Sequence, residues 1–172
     1  PGSSASDACA GSLTVNVTGS DDVNTVGDYL LTYTATDPSG NSDSKTRTVH
    51  VVDTTKPTVT LVGGDLTLEC HGPAFVEPGS SANDACAGSL TVNVTGSVDV
   101  NTVGDYLLTY TATDPSGNSD SKTRTVHVVD TTNPVVSLVG GDVTLDCHGP
   151  AFVEPGSSAS DACAGSLTVN VT

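Results

Sequence analysis

The side chains best equipped for covalent or coordination chemistry in this 172-residue chain are five cysteines, four histidines and twenty acidic residues. The cysteines are Cys9, Cys70, Cys86, Cys147 and Cys163, and two intervals recur: 70 to 86 and 147 to 163 both span 16 residues. That spacing predicts the pairs Cys70–Cys86 and Cys147–Cys163, each closing a loop of a size that stabilises a fold by about 3 kcal/mol on the chain-entropy argument. Free buried thiols are the alternative reading. By the same spacing the partner of Cys9 falls upstream of Pro1, which reads as a cut through a repeat. Paired cysteines place the chain in an oxidising, extracellular setting.

The acidic residues offer hard oxygen ligands. Asp53 and Asp130 lie in the stretches "VVDTTKPTV" and "VVDTTNPVV". Asp37 with Asn41, and Asp114 with Asn118, lie in D-P-S-G-N turns, while Asp84 and Asp99 occupy other loops. Oxygens converging from separate loops near a joint can hold calcium. Asp and Asn also cap turns without any metal. His71 and His148 directly follow cysteines, and one Cys-His neighbour pair falls short of a four-ligand zinc site. His50 and His127 alternate with outward threonines and read as surface. Neither G-x-S-x-G nor H-E-x-x-H occurs, so the chain is read as no enzyme, with no catalytic residues and no required cofactor.

Modification is the remaining chemistry. Asn16, Asn93 and Asn170 each begin an N-V-T sequon, and the alternation places Asn93 outward, where a glycan has room. Thr54 and Thr131, in "DTT", are candidate O-glycan acceptors. The other reading is that these acceptors go unused.

The elements that carry these residues repeat. Sliding the chain by 77 residues aligns 1–95 with 78–172, with eight differing pairs: Ser6/Asn83, Asp21/Val98, Lys56/Asn133, Thr58/Val135, Thr60/Ser137, Leu66/Val143, Glu69/Asp146 and Asn83/Ser160. Near-identity in series is the mark of a structural module. Proline-containing joints divide the chain into 1–53 (the rear part of a repeat), 54–130 (a complete repeat) and 131–172 (the front part of the next). The chain thus reads as a segment of something longer. The net charge of −15 repels phosphate backbones and anionic lipid, which argues against nucleic-acid partners and direct membrane insertion.

Within 54–130 the hydrophobic period is two. Tyr106, Leu108, Tyr110 and Ala112 share one face of "GDYLLTYTATD". "SLTVNVT" turns Leu90, Val92 and Val94 inward and Asn93 and Thr95 outward. Leu66, Leu68 and Cys70 share a face, as do Val126 and Val128, and Val59 and Leu61. Gly63-Gly64, Pro78-Gly79 and Pro115-Ser116-Gly117-Asn118 mark turns. The reading is all-β: a sandwich of about seven short strands, one disulfide per domain, with Phe75, Tyr106 and Tyr110 as large core fillers.

The order "DTTKPTVTL", "LECHGPAFVEPG", "DAC", "GDYLLTYTATDPSGN", "TRTVHVVD" resembles the immunoglobulin-like repeats of bacterial surface proteins, relatives of the hyalin repeat and of the Ig-like domain of a pesticidal crystal protein. The motif G-x-Y-x-x-x-Y-x-A-x-D-x-x-G-N is met by Gly104, Tyr106, Tyr110, Ala112, Asp114, Gly117 and Asn118. It is met again by Gly27, Tyr29, Tyr33, Ala35, Asp37, Gly40 and Asn41. The resemblance implies Ig-like sandwiches in tandem on large extracellular, bacterial surface proteins, in spacer or adhesive roles and without catalytic residues. The expected function is a structural segment of a glycosylated fibre or stalk whose partners are further copies of the repeat. An adhesin module recognising carbohydrate or protein is the alternative. Single fibres, bundles and domain-swapped assemblies all remain open.

Overall fold

The computed structural model describes residues 2–172. Every regular element among them is a β-strand, and there are fifteen. The longest hairpin occurs twice, as β4 (Gly27–Thr36) with β5 (Ser42–Val51), and as β11 (Gly104–Thr113) with β12 (Ser119–Val129). Its β-branched and aromatic residues alternate as a pleated, half-buried surface requires. The Asp-Pro-Ser-Gly-Asn turn closes it. In the second copy Asp114 Oδ1 accepts the Asn118 amide at 2.8 Å, and Gly117 takes φ 91°, a conformation glycine adopts without strain.

By contacts the chain divides into two units, one of 1–58, 83–90 and 113–120, the other of 59–82, 91–112 and 121–172. Among the described residues the second unit holds the buried hydrophobic side chains Val59, Cys70, Ala82, Leu108, Tyr110, Ala112, Val126, Val128 and Ala159, while Pro57 is buried in the first. Its principal sheet has the order β10-β11-β12-β7, with β7 (Leu66–Glu69) parallel to β12, and β10 (Asn93–Thr95) at the edge. A three-stranded sheet has the order β6-β8-β9, from β6 (Thr58–Leu61), β8 (Ser80–Asp84) and β9 (Gly88–Leu90). Residues 58–129 thus supply seven strands, as the alternation predicts.

The faces fall as expected along β11, where Leu108, Tyr110 and Ala112 are buried and Leu107 is 57% exposed. Two details differ. "SLTVNVT" is not one strand: Leu90 ends β9, and the chain changes sheets before Asn93 opens β10, leaving Val94 exposed. Of the three large side chains expected in the core, Tyr110 is fully buried, while Tyr106 and Phe75 are half-buried. Tyr106 stays near the surface because its hydroxyl donates to the Thr102 carbonyl at 2.8 Å.

The disulfide corrects the expected pairing. Cys70 is bonded to Cys163, 93 residues away, and neither Cys70–Cys86 nor Cys147–Cys163 forms. Cys9, Cys86 and Cys147 are exposed free thiols. The reason lies at the end of β7. The Cys70 amide donates to the Val129 carbonyl at 2.7 Å. One residue earlier, Glu69 accepts the Thr131 amide at 2.8 Å, the Thr131 hydroxyl at 2.7 Å and the Thr132 hydroxyl at 3.0 Å. These bonds lay the joint at 129–132 along β7, so the following copy starts beside Cys70. Cys163, in the turn between β14 (Ser157–Asp161) and β15 (Gly165–Leu167), then reaches it. Cys86 follows β8, in the other sheet from β7.

The remaining strands are smaller assemblies. β1 (Ala5–Asp7) pairs with β2 (Gly11–Leu13), and β3 (Val15–Thr18) joins β4 and β5 in a three-stranded sheet. β13 (Val135–Leu138) pairs with β14, which pairs with β15.

Candidate metal centre at the repeat joint

Three strand ends converge in the first unit. Asp53 follows β5 in the D-T-T joint, Asp84 is the last residue of β8, and Asp114 is the first residue after β11. One carboxylate oxygen from each lies within 4.8 Å of the others. Asp84 is 3% exposed and Asp114 5%, and Asp53 is half-buried. None of the ion pairs among the described residues involves any of the three.

Local geometry holds each carboxylate in place. Asp84 Oδ1 accepts the amides of Cys86 and Ala87, both at 2.8 Å, as in an Asx turn. Those amide bonds, Ala87 first, hold its carboxyl below the ordinary range. Asp84 Oδ2 is buried with no hydrogen-bond partner. Asn118 locks the other two: its Nδ2 donates to Asp114 Oδ2 at 2.8 Å and to the Asp53 carbonyl at 3.1 Å. Asp53 Oδ1 accepts the Thr55 amide at 3.0 Å.

Of the candidate calcium ligands read from the sequence, Asp53 and Asp114 are brought together. Asn118 is present as a brace, its amide nitrogen donating to the other two residues. Asp37 and Asn41 form the same turn in the first copy, with Asn41 Nδ2 donating to Asp37 Oδ2 at 2.8 Å, and Asp37 has Asp7 as an electrostatic neighbour. Asp130 lies beside Asp161. Asp84, read from the sequence as an acid of another loop, joins Asp53 and Asp114. The signal was its parity: Asp84 shares the inward face of β8 with Ala82, and an Asp recurs in each "DAC" at 7, 84 and 161.

A second buried polar group escaped the sequence reading. Arg124 is 1% exposed in β12. Its Nη1 pairs with Glu77 Oε1 at 2.7 Å and its Nη2 donates to the Val62 carbonyl at 2.6 Å. Its guanidinium lies 5.4 Å from the Tyr110 ring centre, and the Tyr110 hydroxyl donates to Glu77 Oε2. Burial first, then the bond to Glu77, push the Tyr110 phenol up to about 12. Arg124 has the parity of Val126 and Val128, so the pattern held this residue too.

His50 and His127 point outward, as the alternation predicts. His50 Nδ1 and His127 Nδ1 each lie 2.6 Å from a strand neighbour, Asp28 and Asp105. His71 and His148 adopt φ 56° and 65° in turns. Among the described residues the three aspartates form the one His/Cys/Asp/Glu group of metal-binding geometry. The sequon residues Asn16, Asn93 and Asn170 are exposed, and so are Thr54 and Thr131, although the Thr131 hydroxyl already donates to Glu69.

The profile of the family described as bacterial surface protein, Ig-like domain, matches residues 1–51 and 59–128. Among curated proteins, hyalin of Strongylocentrotus purpuratus is 39% identical over 143 residues, covering 77% of this chain and 11% of the relative. Hyalin of Lytechinus variegatus is 34% identical over 165 residues, covering 88% of this chain and 31% of the relative. The serine-rich adhesin for platelets of Staphylococcus aureus (strain MRSA252) is 32% identical over 113 residues, covering 57% of this chain and 8% of the relative. The chain therefore spans less than a third of the length of each of these relatives. Two of the three are sea-urchin proteins, so the relatives do not restrict the chain to bacteria. With its all-β architecture and both motif copies within the matched residues, the chain belongs to the bacterial surface protein Ig-like domain family.

Proposed function

We propose that this chain is a tension-bearing segment of an extracellular stalk or fibre built from head-to-tail Ig-like repeats. The observation that carries the reading is the Cys70–Cys163 bond, which ties the complete repeat to the copy that follows it. Because the sequence recurs every 77 residues, the same bond is available at every joint where the repeat continues. Cys86 would then pair with a cysteine 93 residues upstream and Cys147 with one 93 residues downstream. A covalent tie across each joint resists hinge opening and pulling, which a spacer outside the cell must do.

The sequons fit the same role. Asn93 is exposed on the edge strand β10, and Asn16 is exposed on β3, the edge of its own sheet. An exposed edge invites pairing with other chains, and a glycan there would block it. The name of the staphylococcal relative supports the second reading, an adhesive module. Retention of the isolated chain on a glycan array would favour that reading.

Single-molecule pulling tests the proposal. The oxidised chain should release roughly 300 Å less contour length than the reduced chain, the extended length of the 93 residues enclosed by the bond. A deficit of roughly 100 Å, as two 16-residue loops would give, would contradict it.

A further inference from the structure

The geometry points to a calcium site formed by Asp53, Asp84 and Asp114, a binding site distinct from the spacer role and independent of it. Three carboxylate oxygens lie within 4.8 Å of one another in a place where two of the side chains are almost fully buried. Taking ionised carboxylates out of water is costly unless a counter-charge is supplied, and no basic side chain is paired with them among the described residues.

Turn capping explains one oxygen of Asp84 and leaves the other unexplained. Oδ1 is satisfied by two amides, whereas Oδ2 is buried, unpartnered and part of a residue whose neighbours across the gap are two more acids. A buried acceptor with no donor is rare in folded proteins. A cation satisfies it and offsets the repulsion in one step.

The repeat supplies an internal check. Asp161, the counterpart of Asp84, likewise accepts the amides of Cys163 and Ala164 at 2.8 and 2.9 Å, and its Oδ2 is also buried without a donor. Its joint aspartate, Asp130, is beside it. Asp7, the third counterpart, has Asp37 as its neighbour. Two of the three acids lie together in each of those copies, where the counterpart of the third falls outside the 172 residues.

The donor set selects the ion. All ligands are hard oxygens, and the Cys86 sulfur is outside the group, which disfavours zinc. Calcium takes six to eight oxygens in flexible geometry, so carboxylates from three separate strand ends with water completing the shell suit it better than magnesium, which demands a near-ideal octahedron. The ligands join the end of one repeat (Asp53) to two loops of the next (Asp84, Asp114), so the ion would fix the joint.

Equilibrium dialysis of the full 172-residue chain against radioactive calcium, with thermal unfolding in calcium and in chelator, tests the assignment. The expected result is about one calcium per chain, a higher unfolding temperature in calcium, and a loss of affinity of at least ~10-fold in Asp84→Asn and Asp53→Asn. Asp53 makes only one local amide bond, so Asp53→Asn should keep the native circular dichroism and remain informative if Asp84→Asn fails to fold. Asp99→Asn, in a separate turn, should bind as the parent does. No bound calcium, binding unchanged in Asp53→Asn, or preference for magnesium would overturn the assignment.

Discussion

The hairpin β4–β5 and the hairpin β11–β12 carry the same strand sequences in two settings. GDYLLTYTAT is identical in both, and SDSKTRTVHV is too. Everything decided within the hairpin recurs. The Tyr29 and Tyr106 hydroxyls both donate to a carbonyl four residues back at 2.8 Å, His50 and His127 both meet an Asp at 2.6 Å, and Arg47 and Arg124 both stack 5.4 Å from a tyrosine ring. Everything decided by distant chain differs. Tyr110, Ala112, Arg124 and Val126 are buried, whereas Tyr33, Ala35 and Val49 are half-buried and Arg47 is exposed. The second hairpin has Val62 and Glu77 from the chain preceding it, both bonded to Arg124. In the first copy the same face lines a groove of about 590 Å³ that includes Tyr33, Ala35 and Arg47. Burial in this repeat is thus a property of the covering strands, not of the strand that is covered.

The comparison can be broken most forcefully at its buried tyrosine. Tyr110→Ala empties a fully buried site and should cost about 3–5 kcal/mol, whereas Tyr33→Ala should cost about 1 kcal/mol or less. Urea unfolding of both variants decides it, and equal losses would mean that the two faces are covered alike. Arg124→Ala comes next. Arg124 is buried while the Glu77 side chain is 32% exposed, so the loss comes from emptying the arginine's buried site and leaving the Val62 carbonyl without its donor; it should be about 2 kcal/mol, against about 0–1 kcal/mol for Arg47→Ala.

A smaller effect sharpens the same contrast through pH. The Tyr110 phenol titrates at about 12 in the fold, above its ordinary value. Its contribution is therefore complete below about pH 10 and is lost as the pH rises through about 12. Stability should fall across that window, and Tyr110→Phe should flatten the slope while Tyr33→Phe leaves it in place. The smallest effect belongs to the exposed pair: His127→Ala and His50→Ala should each change stability by about 0.5 kcal/mol or less, equally in the two copies.

These contrasts separate what the residues alone could reveal from what they could not. The period-two alternation locates Leu108, Tyr110, Ala112, Val126 and Val128 inside because side-chain direction in a strand is local. The same parity holds Arg124 and Asp84, whose burial depends on the partners that other strands bring to them. The break of "SLTVNVT" between two sheets follows from where neighbouring strands lie, which no local pattern encodes. The cysteine pairing failed for the same reason. A 16-residue interval is compatible with a bond, but Glu69 holding Thr131 and Thr132 decides which cysteine arrives beside Cys70. Two of the candidate metal ligands, Asp53 and Asp114, were legible as loop acids. Their meeting with Asp84 depends on three strand ends converging.

The central claim is that successive copies are tied to each other, not each closed upon itself, and the disulfide is its most direct test. Free thiols are alkylated first, and the unreduced chain is then cleaved on the amino side of aspartate. That cleavage separates the cysteines into the peptides 65–83, 84–98, 146–160 and 161–172. Mass spectrometry should find 65–83 joined to 161–172, with Cys86 and Cys147 alkylated. A species joining 65–83 to 84–98, with 146–160 joined to 161–172, would contradict the account.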